Sequence, residues 1–109
     1  MNVRLYVWQR ATAALLAPLV LVHLAVIFYA ARQGFSAADI LSRTHASAIW
    51  ASYYSIFVAA VAIHAAIGVR NILTEWSPLN DRGAGWCAVL LGIALALLGF
   101  HAVVALVLT

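Results

Sequence analysis

GWCAVLLGIALALLGFHAVVALVL, residues 85–108, runs for twenty-four positions without an Asp, Glu, Lys or Arg. About 20 consecutive apolar residues are enough to carry a helix across the ~30 Å hydrocarbon core of a bilayer. Two more windows of the same character lie upstream, at residues 11–31 and 48–69. The stretches between the windows, 32–47 and 70–84, collect Gly, Pro, Ser, Asn and Asp, the residues of connecting segments.

Composition agrees with that reading. Hydrophobic residues make up 67% of the chain and charged residues 8%. A water-soluble fold of this size needs a polar surface that so few charges do not supply, and a lipid environment removes the need. The expected fold is an all-α membrane protein with three transmembrane helices, forming one domain over residues 1–109. No internal repeat or low-complexity tract interrupts it. The lone Cys87 has no partner for a disulfide and reads as a small packing residue. The first window, preceded by Arg4 and Arg10, is too long for the apolar core of a cleaved secretory signal, so it is expected to be a retained helix. Pro18 within it predicts a kink of the kind neighbouring helices tolerate in lipid.

The chain holds no lysine, so orientation rests on arginine. Placing the N-terminus in the cytoplasm puts Arg4, Arg10, Arg70 and Arg82 inside and leaves Arg32 and Arg43 outside, with the C-terminus also outside. This four-to-two bias follows the retention of positive residues on the cytoplasmic side. Trp8, Trp76 and Trp86 then gather at the inner boundary, and Tyr29 and Trp50 near the outer one, as membrane anchors.

Polar groups at membrane depth cost insertion energy and are the candidates for chemistry. His23, His64 and His101 lie within spans, whereas His45 falls in the outer loop. A haem lying against a helix needs small residues one turn either side of its axial ligand. Only His64 has them, with Ala60 and Gly68 at four residues before and after. His23 stands between Leu19 and Ile27, and His101 between Leu97 and Ala105, so both read as structural histidines. His64 precedes Arg70 by six residues, roughly 9 Å of helix from that end. Arg70 and Arg10 are therefore placed to pair with anionic propionates. One histidine completes half of a bis-histidine iron site, so the second ligand must come from another polypeptide.

The run Ile63-His64-Ala65-Ala66-Ile67-Gly68-Val69-Arg70-Asn71-Ile72-Leu73-Thr74-Glu75-Trp76, together with Trp8-Gln9-Arg10-Ala11-Thr12-Ala13, resembles the small membrane-anchor, or cytochrome b, subunits of succinate dehydrogenase. The likeness covers most of the chain. It implies His64 as axial ligand of haem b and Arg10 beside its propionates, and the helix spacing adds Gly68 and Arg70 around the cofactor. It implies Arg10 at the quinone pocket, with Glu75 and Trp76 where familiar anchors carry Asp-Tyr, and Tyr6 is a further quinone neighbour. Tryptophan offers an indole N–H where tyrosine offers a hydroxyl, which weakens the transfer at Trp76. The implied partners are flavoprotein and iron–sulfur subunits, a second anchor, membrane lipid and quinone. The implied location is the bacterial inner membrane. The chain has neither a dinucleotide-binding glycine pattern nor clustered cysteines, so it is expected to be non-catalytic alone, with flavin and iron–sulfur clusters held by its partners. No feature suggests nucleic acid.

Two rivals stand beside this reading. A haem-free assembly or scaffold subunit would use Ala13, Ala17, Gly92 and Gly99 only for helix packing, and replacing His64 would leave absorbance unchanged. A channel or transporter would need several charges along a span, and none of the three windows has them.

Overall fold

The computed structural model describes residues 3–108, in the order α1 (Val3–Gln33), α2 (Ala37–Thr44), α3 (Ala48–Trp76) and α4 (Asp81–Leu108). The helices α1, α3 and α4 are 31, 29 and 28 residues long and apolar enough to cross a membrane. Their length matches the 48 Å long axis of the molecule. They extend past the apolar windows because hydropathy marks only the part that must avoid water. Helix geometry continues through the amphipathic residues Val3 to Arg10 and Arg70 to Trp76. Glu75 and Trp76 consequently belong to the last turn of α3 rather than to a loop, and only residues 77–80 connect α3 to α4. The helix α1 runs through Pro18 without a break.

Local chemistry explains each boundary. Gly34, at φ 69°, ends α1 in a left-handed turn, with the Phe35 N–H donating to Ala30 O at 3.1 Å and the Gly34 N–H to Ala31 O at 3.2 Å. Ser36 then opens α2 with a reciprocal capping box. The Asp39 N–H donates to Ser36 Oγ at 3.2 Å and the Ser36 N–H donates to Asp39 Oδ2 at 2.8 Å. That backbone N–H, helped by the Ser36 hydroxyl, holds the Asp39 carboxyl below its ordinary range. Ser47 caps α3 through the Trp50 N–H, and Asn80 caps α4 by accepting from the Gly83 N–H at 2.8 Å.

The short helix α2 was not expected from the connecting stretch 32–47, and it does more than connect. The last carbonyls of a helix have no partner within it. Two of them at the end of α4 are satisfied from the α2 segment: Thr44 Oγ1 donates to Leu106 O at 2.7 Å, and the Ala46 N–H donates to Val107 O at 2.7 Å. Ala46 reaches Val107 from a left-handed conformation, φ 56°.

Helix α3 is the central element, packed along α4 on one side and α1 on another, while α1 and α4 share no comparable interface. Small side chains are buried and large ones face outward, the pattern expected where lipid replaces water and helices gain by close approach. Ala60, Ala62, Ala84 and Ala88 are buried, whereas Leu21, Phe28, Leu97 and Leu98 are two-thirds exposed. Gly92 lets α4 approach Ala66 and Ala62. Gly99 brings it still closer to Val58, where an added Cβ would stand 2.5 Å from Val58 Cγ1. Beside this seam an apolar groove of about 570 Å³ runs between α3 and α4, and Arg70 lines it together with Leu5.

Candidate functional site

Two of the three histidines within the apolar spans, His64 and His23, lie where α1 packs on α3. Toward the end that holds the start of α1, the buried Thr12 faces the half-buried His64, with Oγ1 at 3.2 Å from Nδ1. Thr12 Oγ1 also lies 2.8 Å from Trp8 O and 3.1 Å from Gln9 O within its own helix. One turn along α3, Gly68 faces Gln9, whose Nε2 is 3.4 Å from where a Cβ on Gly68 would be. Gln9 Oε1 is buried and makes no hydrogen bond. Ala60, one turn the other way, is buried. The small residues flanking His64 therefore admit α1 at Gln9 and Thr12.

In the other half of the same interface, His23 packs edge-on against Tyr54 and Phe57, with ring centroids 5.8 and 5.3 Å apart. The Tyr53 hydroxyl donates to Leu19 O across the two helices at 2.5 Å. His23 Nδ1 is buried without a hydrogen bond beside a cavity of about 390 Å³ lined by Tyr54, Phe57 and Gly99. His101 is exposed on α4 and does not line that cavity. His45, exposed at the end of α2, caps that helix by donating its backbone N–H to Leu41 O.

The remaining residues singled out from sequence fall into separate groups. Arg10 is exposed on α1 and lies over the Tyr6 ring at 5.8 Å, so these two do come together. Thr12 is two residues further, about 200° around the helix, so Arg10 leaves α1 on the side away from α3. Arg70 lines the groove against α4 instead of the face that carries His64. Glu75 and Trp76 are exposed on the final turn of α3, Trp76 at 83%. Of the glycines and alanines named for helix packing, Gly92 and Gly99 lie against α3, while Ala13 and Ala17 are exposed on α1.

Thr12 and Gln9 were not anticipated as partners of His64 and Gly68. The signal for them was present: each is a polar residue in the first helix at the depth where an antiparallel second span brings His64 and Gly68. Among the described residues no three His, Cys, Asp or Glu side chains gather into a metal-binding cluster. At the Thr12 end, the α1–α3 interface thus offers a single imidazole, not a complete ligand set.

No curated protein and no solved structure matches the chain. A family model does, over residues 1–100, and it describes the succinate dehydrogenase/fumarate reductase transmembrane subunit. With that match spanning nearly the whole chain and three helices long and apolar enough to cross a membrane, this protein belongs to the family of succinate dehydrogenase/fumarate reductase transmembrane subunits.

Proposed function

We propose that this chain is the small anchor that shares a haem b with a second anchor subunit, helps form a quinone pocket, and docks the flavoprotein and iron–sulfur subunits on the membrane. The observation that carries this reading is His64: a half-buried imidazole at membrane depth, held by Thr12 through Nδ1. With Nδ1 engaged, Nε2 is the nitrogen available to iron. The donor set fits a group clamped between chains, because one imidazole supplies one axial ligand and a partner supplies the other.

When bound, haem b takes up and returns single electrons beside the quinone site. The chain's own residues bind and orient. His64 offers its ring nitrogen, and Gly68 lets Gln9 of α1 pack one turn away from it. Arg10 and Arg70 offer guanidinium groups for carboxylates near the membrane boundary. Arg10 with Tyr6, and Glu75 with Trp76 at the end of α3, offer donors and a carboxylate for a quinone and its protons. The exposed apolar faces of α1 and α4 serve the second anchor and lipid. The arginine bias supports an N-terminus on the cytoplasmic side of a bacterial inner membrane, which places the soluble partners beside Arg10, Arg70 and Glu75.

The test is gentle purification of the tagged chain with its companions, followed by reduced-minus-oxidised spectroscopy and subunit identification. A flavoprotein that co-purifies with a b-type spectrum, and loss of that spectrum in His64→Ala, is the expected result. A colourless complex that still reduces quinone would leave the chain as a haem-free scaffold.

A further inference from the structure

Thr12 has one hydroxyl proton and three polar neighbours. Trp8 O, at 2.8 Å, is the nearest and lies one turn back on the same helix, the usual acceptor for a helical threonine. Gln9 O, at 3.1 Å, is the other acceptor within α1. A proton given to either carbonyl cannot also be given to His64. The contact of 3.2 Å between Oγ1 and Nδ1 is then a hydrogen bond only if the imidazole donates. We propose that Thr12 is a positioning residue that fixes His64 as the Nδ1–H tautomer and aims the lone pair of Nε2 at the metal; this rests on the haem-anchor reading above.

Three observations support the assignment. Thr12 is the one buried residue of α1, so its hydroxyl is shielded from competing water. His64 is restrained from a neighbouring helix, not from its own, so the ring orientation depends on the packing of α1 on α3. The chemistry is that of an outer-shell acceptor, which sets the tautomer of a ligating histidine and raises its basicity. A more basic Nε2 favours ferric over ferrous iron, so the contact lowers the potential of the bound group. It also couples the entry angle of the first span to the cofactor, through a residue that would touch neither iron nor quinone.

The purified complex provides the test, using Thr12→Val, which keeps the shape and removes the hydroxyl, and Thr12→Ser, which restores it. Thr12→Val is expected to weaken haem retention about 10–100-fold, the usual cost of losing an outer-shell partner. It should also raise the midpoint potential, by about 59 mV if ferric affinity falls tenfold more than ferrous, and change the ferric paramagnetic resonance spectrum. Thr12→Ser is expected to restore all three. Should Thr12→Val fail to assemble, nitrogen magnetic resonance of histidine-labelled wild-type complex in the reduced, diamagnetic state reads the tautomer directly. An unprotonated Nδ1 on His64, or a Thr12→Val complex matching wild type in retention, potential and resonance, overturns the inference. Failure of the haem reading looks different: the wild-type complex is then colourless, or His64→Ala keeps its spectrum.

Discussion

Replacing Gly99 by alanine would push α4 off α3 at their closest approach. The new methyl group would lie 2.5 Å from Val58 Cγ1, 2.9 Å from Cγ2 and 3.2 Å from Cβ. Comfortable carbon contacts are about 3.5–4.0 Å, so the overlap approaches ~1 Å. Rotating Val58 gives little relief, because both of its methyl groups already flank the position and a helical valine strongly prefers one rotamer. The helices must separate instead. Overpacking of this kind costs about 1–3 kcal/mol, offset by up to ~1 kcal/mol from the better helix propensity of alanine. With the full offset, the net expectation is a loss of about 0–2 kcal/mol. Equilibrium unfolding in mixed detergent micelles, followed by helicity, measures it. Two internal comparisons sharpen the result. Gly85→Ala meets nothing within 4 Å and should be neutral or mildly stabilising, and Gly92→Ala, 3.3 Å from Ala66 Cβ, should fall between. Val58→Ala should relieve Gly99→Ala, with a coupling of at least about 1 kcal/mol in a double-mutant cycle. If Gly99→Ala proves as stable as Gly85→Ala, the close seam between α3 and α4 is refuted.

Thr44→Val removes the donor to Leu106 O and leaves a helix-end carbonyl unsatisfied, a cost of about 1–3 kcal/mol. Amide hydrogen exchange should quicken at the end of α4 and in α2 while the centre of α3 stays protected. Tyr53→Phe deletes the bond across helices to Leu19 O, for which about 0.6–2 kcal/mol is expected within a membrane. A thermal shift of the purified complex reads that loss, and an unchanged midpoint would show the hydroxyl contributes nothing. The lowered carboxyl of Asp39 gives α2 a pH dependence of defined sign. Its contribution is complete above the ordinary aspartate value of about 3.9 and is lost as pH falls through the lower folded value. The protection of the α2 amides, taken as exchange relative to the intrinsic rate at each pH, should therefore fall in acid in the native chain, and Asp39→Ala should abolish that dependence.

The three spans were legible because the requirement that decides them, about 20 apolar residues in a row, is local and leaves its mark on sequence. Their true ends were harder to read. Asn71 to Trp76 and Val3 to Arg10 are polar or amphipathic, and nothing in hydropathy distinguishes a helix continuing into the interface from a loop. The α2 helix was announced by Ser36 and Asp39 at capping-box spacing, a signal overshadowed by the Gly34 and Ser residues around it. Within the site, Ala60, His64 and Gly68 share one stripe of α3 by periodicity alone. What lies opposite that stripe depends on the crossing of α1, which no single helix specifies. Thr12 and Gln9 became visible as partners only once the two helices were docked. The same limit explains Arg10 and Arg70, which lie toward the same end of the molecule as His64 but project from other sides of their helices.

The bond from Thr44 to Leu106 joins positions sixty-two residues apart and carries a timing with it. The segment between the first two spans is synthesised long before the carbonyls it will hold. It must wait, unlatched, until the ribosome has delivered the end of the third span. Closure at this face is therefore among the last events of biogenesis, and a chain released before Leu106 would keep its membrane-spanning stretches yet never fasten them at that end.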